Sequence, residues 1–261
     1  MSTKAPSPAP QLEPIADPGG LPLYRQVKRS LIKLIESGAY APGTSLPSES
    51  ELSNRLQVSI GTLRKAVDEL VHENALIRRQ GKGTFVATHN NARFLFQFFH
   101  VERRDLDAQQ EDEYPAVDFV SFERARASEY EAAALSIQTG EAVFRIANRL
   151  SLARRPVVFD RLCISALTFK GLTEKRLIER PSTIYHLYQH DFGITVLRAK
   201  DRARAASASL EVSKILGVTP GIPVLEVHRI ALTFGEKPVE YRISTINTQH
   251  HDYVHLLSKR I

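Results

Sequence analysis

Apolar residues first recur at helical spacing from Leu23. Leu23, Val27, Leu31, Leu34 and Ile35 fall on one face, and the run stops at Gly38, with Pro42-Gly43 behind it. Ser48 and Glu51 follow in S-x-x-E spacing, with Leu52 and Leu56 as the buried face of a short helix ending near Gln57. Ser59 can cap the next helix, whose apolar stripe is Leu63, Ala66, Val67 and Leu70. Two β-prone runs then flank Gln80-Gly81-Lys82-Gly83, which predicts a hairpin over 76–86.

Beyond a short polar stretch at 88–92 the period changes. Residues 117–125 read as a strand and 128–137 as a capped helix. Residues 143–152 and 157–164 alternate as two strands joined at Ala153-Arg154-Arg155-Pro156. Residues 182–192 are helical in pattern and 194–204 extended. An echo runs through this half: Leu135, Gly140 and Val143 recur as Leu216, Gly221 and Val224, and Pro156-Val157 as Pro238-Val239. The echo predicts two related helix-plus-hairpin units sharing one sheet.

These elements place an α-helical unit at 21–88, a linker at 89–92 and a mixed α and β unit at 93–257. The fold class is therefore α+β. Residues 1–20 carry Pro6, Pro8, Pro10, Pro14 and Pro18 and read as a disordered tail.

Composition narrows the function. The chain has 261 residues, 43% of them hydrophobic, enough for a real core. Its net charge is +6, which suits a polyanionic partner. The single cysteine, Cys163, excludes an internal disulfide and lies in an apolar alternating run, the pattern of a buried small residue rather than a nucleophile. No apolar run is long enough for a membrane helix, and no apolar leader opens the chain. A cytoplasmic protein with no membrane partner is expected.

Two short helices joined by a tight turn, the second opening on small polar and basic residues, describe a helix-turn-helix. From Arg55 to Lys82 the basic residues are Arg55, Arg64, Lys65, Arg78, Arg79 and Lys82, opposed by Asp68, Glu69 and Glu73. The acids come late in the third helix, away from the end that would enter a major groove. Hydroxyls and backbone N–H groups at that opening can take phosphates, and an arginine can read a guanine edge. Lys82, between two glycines at the hairpin tip, makes the hairpin a wing.

Residues 22–87 resemble the DNA-binding domain of the GntR family of bacterial regulators. The carriers are Pro22-Leu23-Tyr24-Arg25-Gln26-Val27, Leu46-Pro47-Ser48-Glu49-Ser50-Glu51-Leu52, Val58-Ser59, Thr62-Leu63-Arg64-Lys65-Ala66 and Gln80-Gly81-Lys82-Gly83-Thr84-Phe85-Val86. The resemblance implies contact with double-stranded operator DNA at Ser50, Ser59, Thr62, Arg64, Arg78, Gln80, Gly81 and Lys82. The family often has Arg after the serine, where this chain has Ile60.

Residues from about 93 to 257 are similar to UTRA effector-binding domains of the HutC subfamily. Here the carriers are Arg149-Leu150, Pro156-Val157 with Asp160, Ser182-Thr183-Ile184-Tyr185, Phe192-Gly193-Ile194 and Pro238-Val239-Glu240-Tyr241. The resemblance implies a chorismate-lyase-like α+β sheet, a homodimer and a small-molecule effector. Arg149, Asp160, Glu240 and Arg242 interrupt β-prone runs, and buried charges must be paired or bind something. A ligand site and a structural ion pair both remain open.

An enzyme on the lyase-like scaffold, with an appended DNA-binding domain, is the competing function. Against it, no phosphate loop, nucleophile triad or close Cys/His metal pattern occurs, and no cofactor is expected. His250, His251 and His255 read as a solvated C-terminal tail rather than a metal set.

Overall fold

The computed structural model describes residue 14 and residues 20–88, 99–104 and 115–254. Most of the proline-rich tail, the linker at 89–92 and His255 lie outside them. The chain divides into two compact units, Met1–His89 with Tyr185–Leu197, and Asn90–Ile184 with Arg198–Ile261.

In the first unit, α1 (Leu23–Glu36), α2 (Glu49–Leu56) and α3 (Ile60–His72) precede an antiparallel hairpin of β1 (Leu76–Arg79) and β2 (Gly83–Val86). The predicted stripes are the buried ones: Val27, Leu31 and Ile35 on α1, and Leu63, Ala66, Val67 and Leu70 on α3. Each fully buried aliphatic side chain is worth about 1.5–3 kcal/mol of transfer free energy, so these stripes hold the three helices together. Lys28 adds ion pairs to Glu69 and Glu73, both at 2.8 Å.

The S-x-x-E cap is realised by half. The Ser48 hydroxyl accepts from the Glu51 backbone N–H at 3.2 Å, but the Glu51 carboxylate turns to Arg55 one helical turn on. Gln57 closes α2 with φ 53°, the left-handed value that turns the chain into α3. Also in this unit is α6 (Ile184–Phe192), where buried Gln189 donates to the Ala87 carbonyl and to the Thr195 hydroxyl.

The second unit is built on a six-stranded antiparallel sheet. Its strands are β4 (Ala116–Arg126), β5 (Ala142–Leu152), β6 (Arg155–Ser165), β7 (Arg198–Ser207), β8 (Pro223–Leu232) and β9 (Pro238–Ile246), in the order β4-β5-β6-β9-β8-β7. A two-stranded sheet pairs β3 (Val101–Arg103) with β10 (His251–Tyr253). The helices are α4 (Glu129–Leu135), the short α5 (Glu174–Ile178) and α7 (Leu210–Leu216). His251 is buried in β10, so the expected solvated tail is instead a strand that packs inward.

The sequence echo is a structural one. β4-α4-β5-β6 and β7-α7-β8-β9 are the same unit twice, joined along β6 and β9. Ser128 and Ser209 cap the two helices, and Leu135 and Leu216 bury the corresponding positions. Both helices lie on one face of the sheet. α4 packs with Val143, Cys163 and Tyr241, and α7 with Ala147, Phe159 and Val224. The other face carries Leu150, Val158, Val227 and Ile246 against Val101 of the small sheet and Tyr253.

Candidate functional site

The first candidate surface surrounds the opening of α3 and the β1–β2 tip. Ser59 caps α3: its hydroxyl accepts from the Thr62 backbone N–H at 3.1 Å and lies 2.8 Å from the Thr62 hydroxyl. This cap leaves both short polar side chains at the helix N-terminus, where the macrodipole favours a phosphate. Ser50 is exposed near the start of α2. Gln80, Gly81 and Lys82 form the exposed hairpin tip, with Gly81 at φ +70°, and the Lys82 backbone N–H closes the turn on the Arg79 carbonyl at 2.9 Å.

Arg64 and Arg78 are both exposed and share one acid. The Arg64 Nε donates to Glu49 at 2.5 Å and Arg78 reaches the same carboxylate at 3.4 Å, while Arg78 also pairs with Asp68 at 2.5 Å. The Glu49 hydrogen bond raises the Arg64 guanidinium above its ordinary value. Glu49 thus holds the two arginines between α2, α3 and the hairpin. Exposed ion pairs of this kind are weak, so little energy holds the two arginines on Glu49. Sequence reading missed Glu49, although its place directly after the Ser48 cap marks it as a first-turn acid.

The second candidate lies on the sheet. Neighbouring antiparallel strands put directly opposed residues on one face, and successive residues on opposite faces. Asn148, Asp160 and Ser244 stand opposite one another on β5, β6 and β9, so they share a face with Arg242 and Glu240. Glu240 is 0% exposed and Asp160 3%. Arg242 bridges them, donating to Glu240 at 2.9 and 3.2 Å and to Asp160 at 3.0 Å, and Ser244 donates to Asp160 at 2.5 Å. The buried Asn148 Oδ1 accepts no hydrogen bond.

Arg149 does not join this cluster. It sits on the opposite face and pairs with Asp118 of β4 at 2.9 Å. Three of the four predicted effector residues therefore come together, and the fourth is displaced by the pleat. Asn148, its sequence neighbour, occupies the facing position instead.

A second polar group flanks the cluster on the same face. Arg229, opposite Arg242, donates to Asp201 at 2.8 and 2.7 Å, and the Tyr253 hydroxyl donates to Asp201 at 2.9 Å. Burial alone would raise the Asp201 carboxyl, but Arg229 and Tyr253 hold it below its ordinary value. Burial and the Asp201 charge push the Tyr253 phenol up to about 12, so it stays a donor. Cys163 is buried, and burial likewise pushes its thiol up to about 12, leaving it a neutral packing group. Among the described residues no group of three or more His, Cys, Asp or Glu is placed to hold a metal ion, and no helix is long and apolar enough to cross a membrane.

The gntR family of bacterial regulatory proteins matches residues 23–86, and the UTRA domain matches residues 110–252. The repressor NagR of Bacillus subtilis is 26% identical over 240 residues, covering 92% of this chain and 96% of that protein. The histidine utilization repressor of Pseudomonas putida is 36% identical over 126 residues, 48% of this chain and 50% of that one. The crystal structure of the ligand-binding domain of a GntR-family regulator from Bordetella bronchiseptica superposes with a TM-score of 0.59 at 33% identity, covering 62% of this chain and 98% of that one. The chain belongs to the gntR family, in the branch that carries a UTRA domain.

Proposed function

We propose that this UTRA-domain member of the gntR family is a homodimeric repressor that leaves its operator when a small molecule binds its second unit. The observation that carries the reading is one chain holding both a capped α3 with a basic wing and a sheet with a buried, many-membered polar cluster. Ser59, Thr62, Arg64, Gln80, Gly81 and Lys82 supply the DNA contacts, with Ser50 and Arg78 beside them. Two copies would present two α3 helices to a two-fold related site. A DNA-bound repressor of this kind works in the cytoplasm.

The effector site is the face carrying Asp160, Glu240 and Arg242, with Asn148 supplying an open acceptor. Arg149 is left out of it, because its side chain stands on the other face. Repression is relieved by the effector's different affinity for the DNA-bound and free arrangements. Relatives named as repressors, not enzymes, favour this over catalysis on the same sheet.

The test is selection of duplexes from random DNA by the purified protein, followed by metabolite addition to the selected complex. A two-fold symmetric site released by one metabolite class is expected. Glu240→Gln should abolish release while leaving the symmetric site bound. Selection of no sequence, or release that survives Glu240→Gln, would overturn the DNA or the effector half of the reading respectively.

A further inference from the structure

The helix-bearing face of the sheet holds a cavity of its own, of about 300 Å³, on the side away from Asp160 and Glu240. It lies at the centre of the repeat, where Arg161 of β6 stands opposite Ile243 of β9. Ala147, Phe159, Cys163 and Ile243 line its apolar part, and Glu131 of α4 and Glu211 of α7 line it from the helices.

Arg161 sets the chemistry. Its Nε is buried and has no hydrogen-bond partner, its Nη2 is 3.5 Å from Glu226, and its guanidinium carbon is 5.7 Å from the Phe159 ring centre. A buried donor without an acceptor is rare and calls for a reason. The fold does not demand this one, because the matching residue of the second repeat is Ile243. Arg145, the other cation lining the cavity, is already engaged by Glu131 at 2.9 and 3.0 Å and by Glu123 at 3.3 Å. The Nε and Nη2 edge of a guanidinium is a fork that fits a carboxylate with two parallel hydrogen bonds. Glu123, Glu131 and Glu211 surround the cavity, which penalises a dianion more than a monoanion. A floor of Ala147, Phe159, Ile243 and a neutral thiol asks for an apolar body.

We propose that this cavity binds a small organic monocarboxylate, with its carboxylate on Arg161 and its apolar body against Ala147, Phe159 and Ile243. The site is separate from the effector face and stands whether or not the repressor reading does.

Benzoate is the probe, titrated into the full-length protein and followed by saturation-transfer NMR. The Phe159 ring on the cavity floor reports on the site through intermolecular NOEs to the benzoate ring. Saturable binding with NOEs between benzoate and Phe159 is expected. Arg161→Gln should weaken it at least tenfold, and Arg198→Gln, which removes an exposed arginine of β7 paired with Glu236, should leave it within twofold. Arg161→Lys, which keeps the charge but loses the fork, makes the same comparison if the glutamine variant does not fold. No saturable binding to the native chain, or binding unchanged in the Arg161 variants, would overturn the site. Equal loss in Arg198→Gln would mark attraction to positive charge in general and overturn the site, and equal binding of inorganic phosphate would refute the monocarboxylate class.

Discussion

Arg64 and Lys82 differ in what they would do on DNA, and the difference can be measured. Arg64, at the opening of α3 and paired with Glu49, would read a base edge, so Arg64→Ala should weaken the selected site by about tenfold to a hundredfold and random DNA much less. Lys82, at the exposed hairpin tip, would meet phosphate. Lys82→Ala should weaken both alike and lower the slope of log affinity against log salt by about one. Fluorescence anisotropy at several salt concentrations separates the two. Glu131 makes a third residue-scale case. Burial would raise its carboxyl, but Arg145 and the Ser128 cap hold it down at about 2. Its folded value lies below the unfolded one, so its stabilisation is complete above about pH 5 and is lost as pH falls towards 2. Melting temperature of the native chain should therefore fall across that window, and Glu131→Gln should flatten that part of the fall.

At the scale of elements, the sequence showed where strands begin and end better than which way their side chains point. The strands around Ala153-Arg154 lie within two residues of their predicted bounds, because alternation and turn chemistry are local. The register across strands is not local. Arg149 and Asn148 were equally available to the face that carries Asp160, and only the pairing of Asn148 with Asp160 decides between them. A polar residue in phase with Ile146 and Leu150 was the signal that could have found Asn148. The fate of Glu51 was hidden for a similar reason, since Arg55 competes with the Ser48 backbone for its carboxylate. The Ala153-Arg154 turn carries positive φ at both residues, 46° and 64°, a conformation that suits Asn-Gly. Replacing the pair by Asn-Gly should stabilise the fold by about 1 kcal/mol, read as a rise in urea midpoint with an unchanged slope.

For the whole molecule, the helix-turn-helix with its wing was legible because every part of it is short-range: two caps, two stripes and a glycine turn. The two-fold plan of the second unit was legible only as an echo of five residues. Nothing in the echo revealed that β4 and β7 would become the outer strands and β6 and β9 the seam. That seam governs how the chain reaches its native state. Within each half, β5 meets β6 and β8 meets β9 across tight connections, whereas Asp160 and Ser244 across the seam are 84 residues apart. Pairing of such high contact order is slow, because closing a long loop is unfavourable before any contact rewards it. Pulse-labelled hydrogen exchange during refolding should therefore show the amides of β5 and β8 protected before those that bond β6 to β9. Until the seam closes, the buried charges Asp160 and Arg242 remain in different, half-made sheets, so their pairing is among the last native contacts to form.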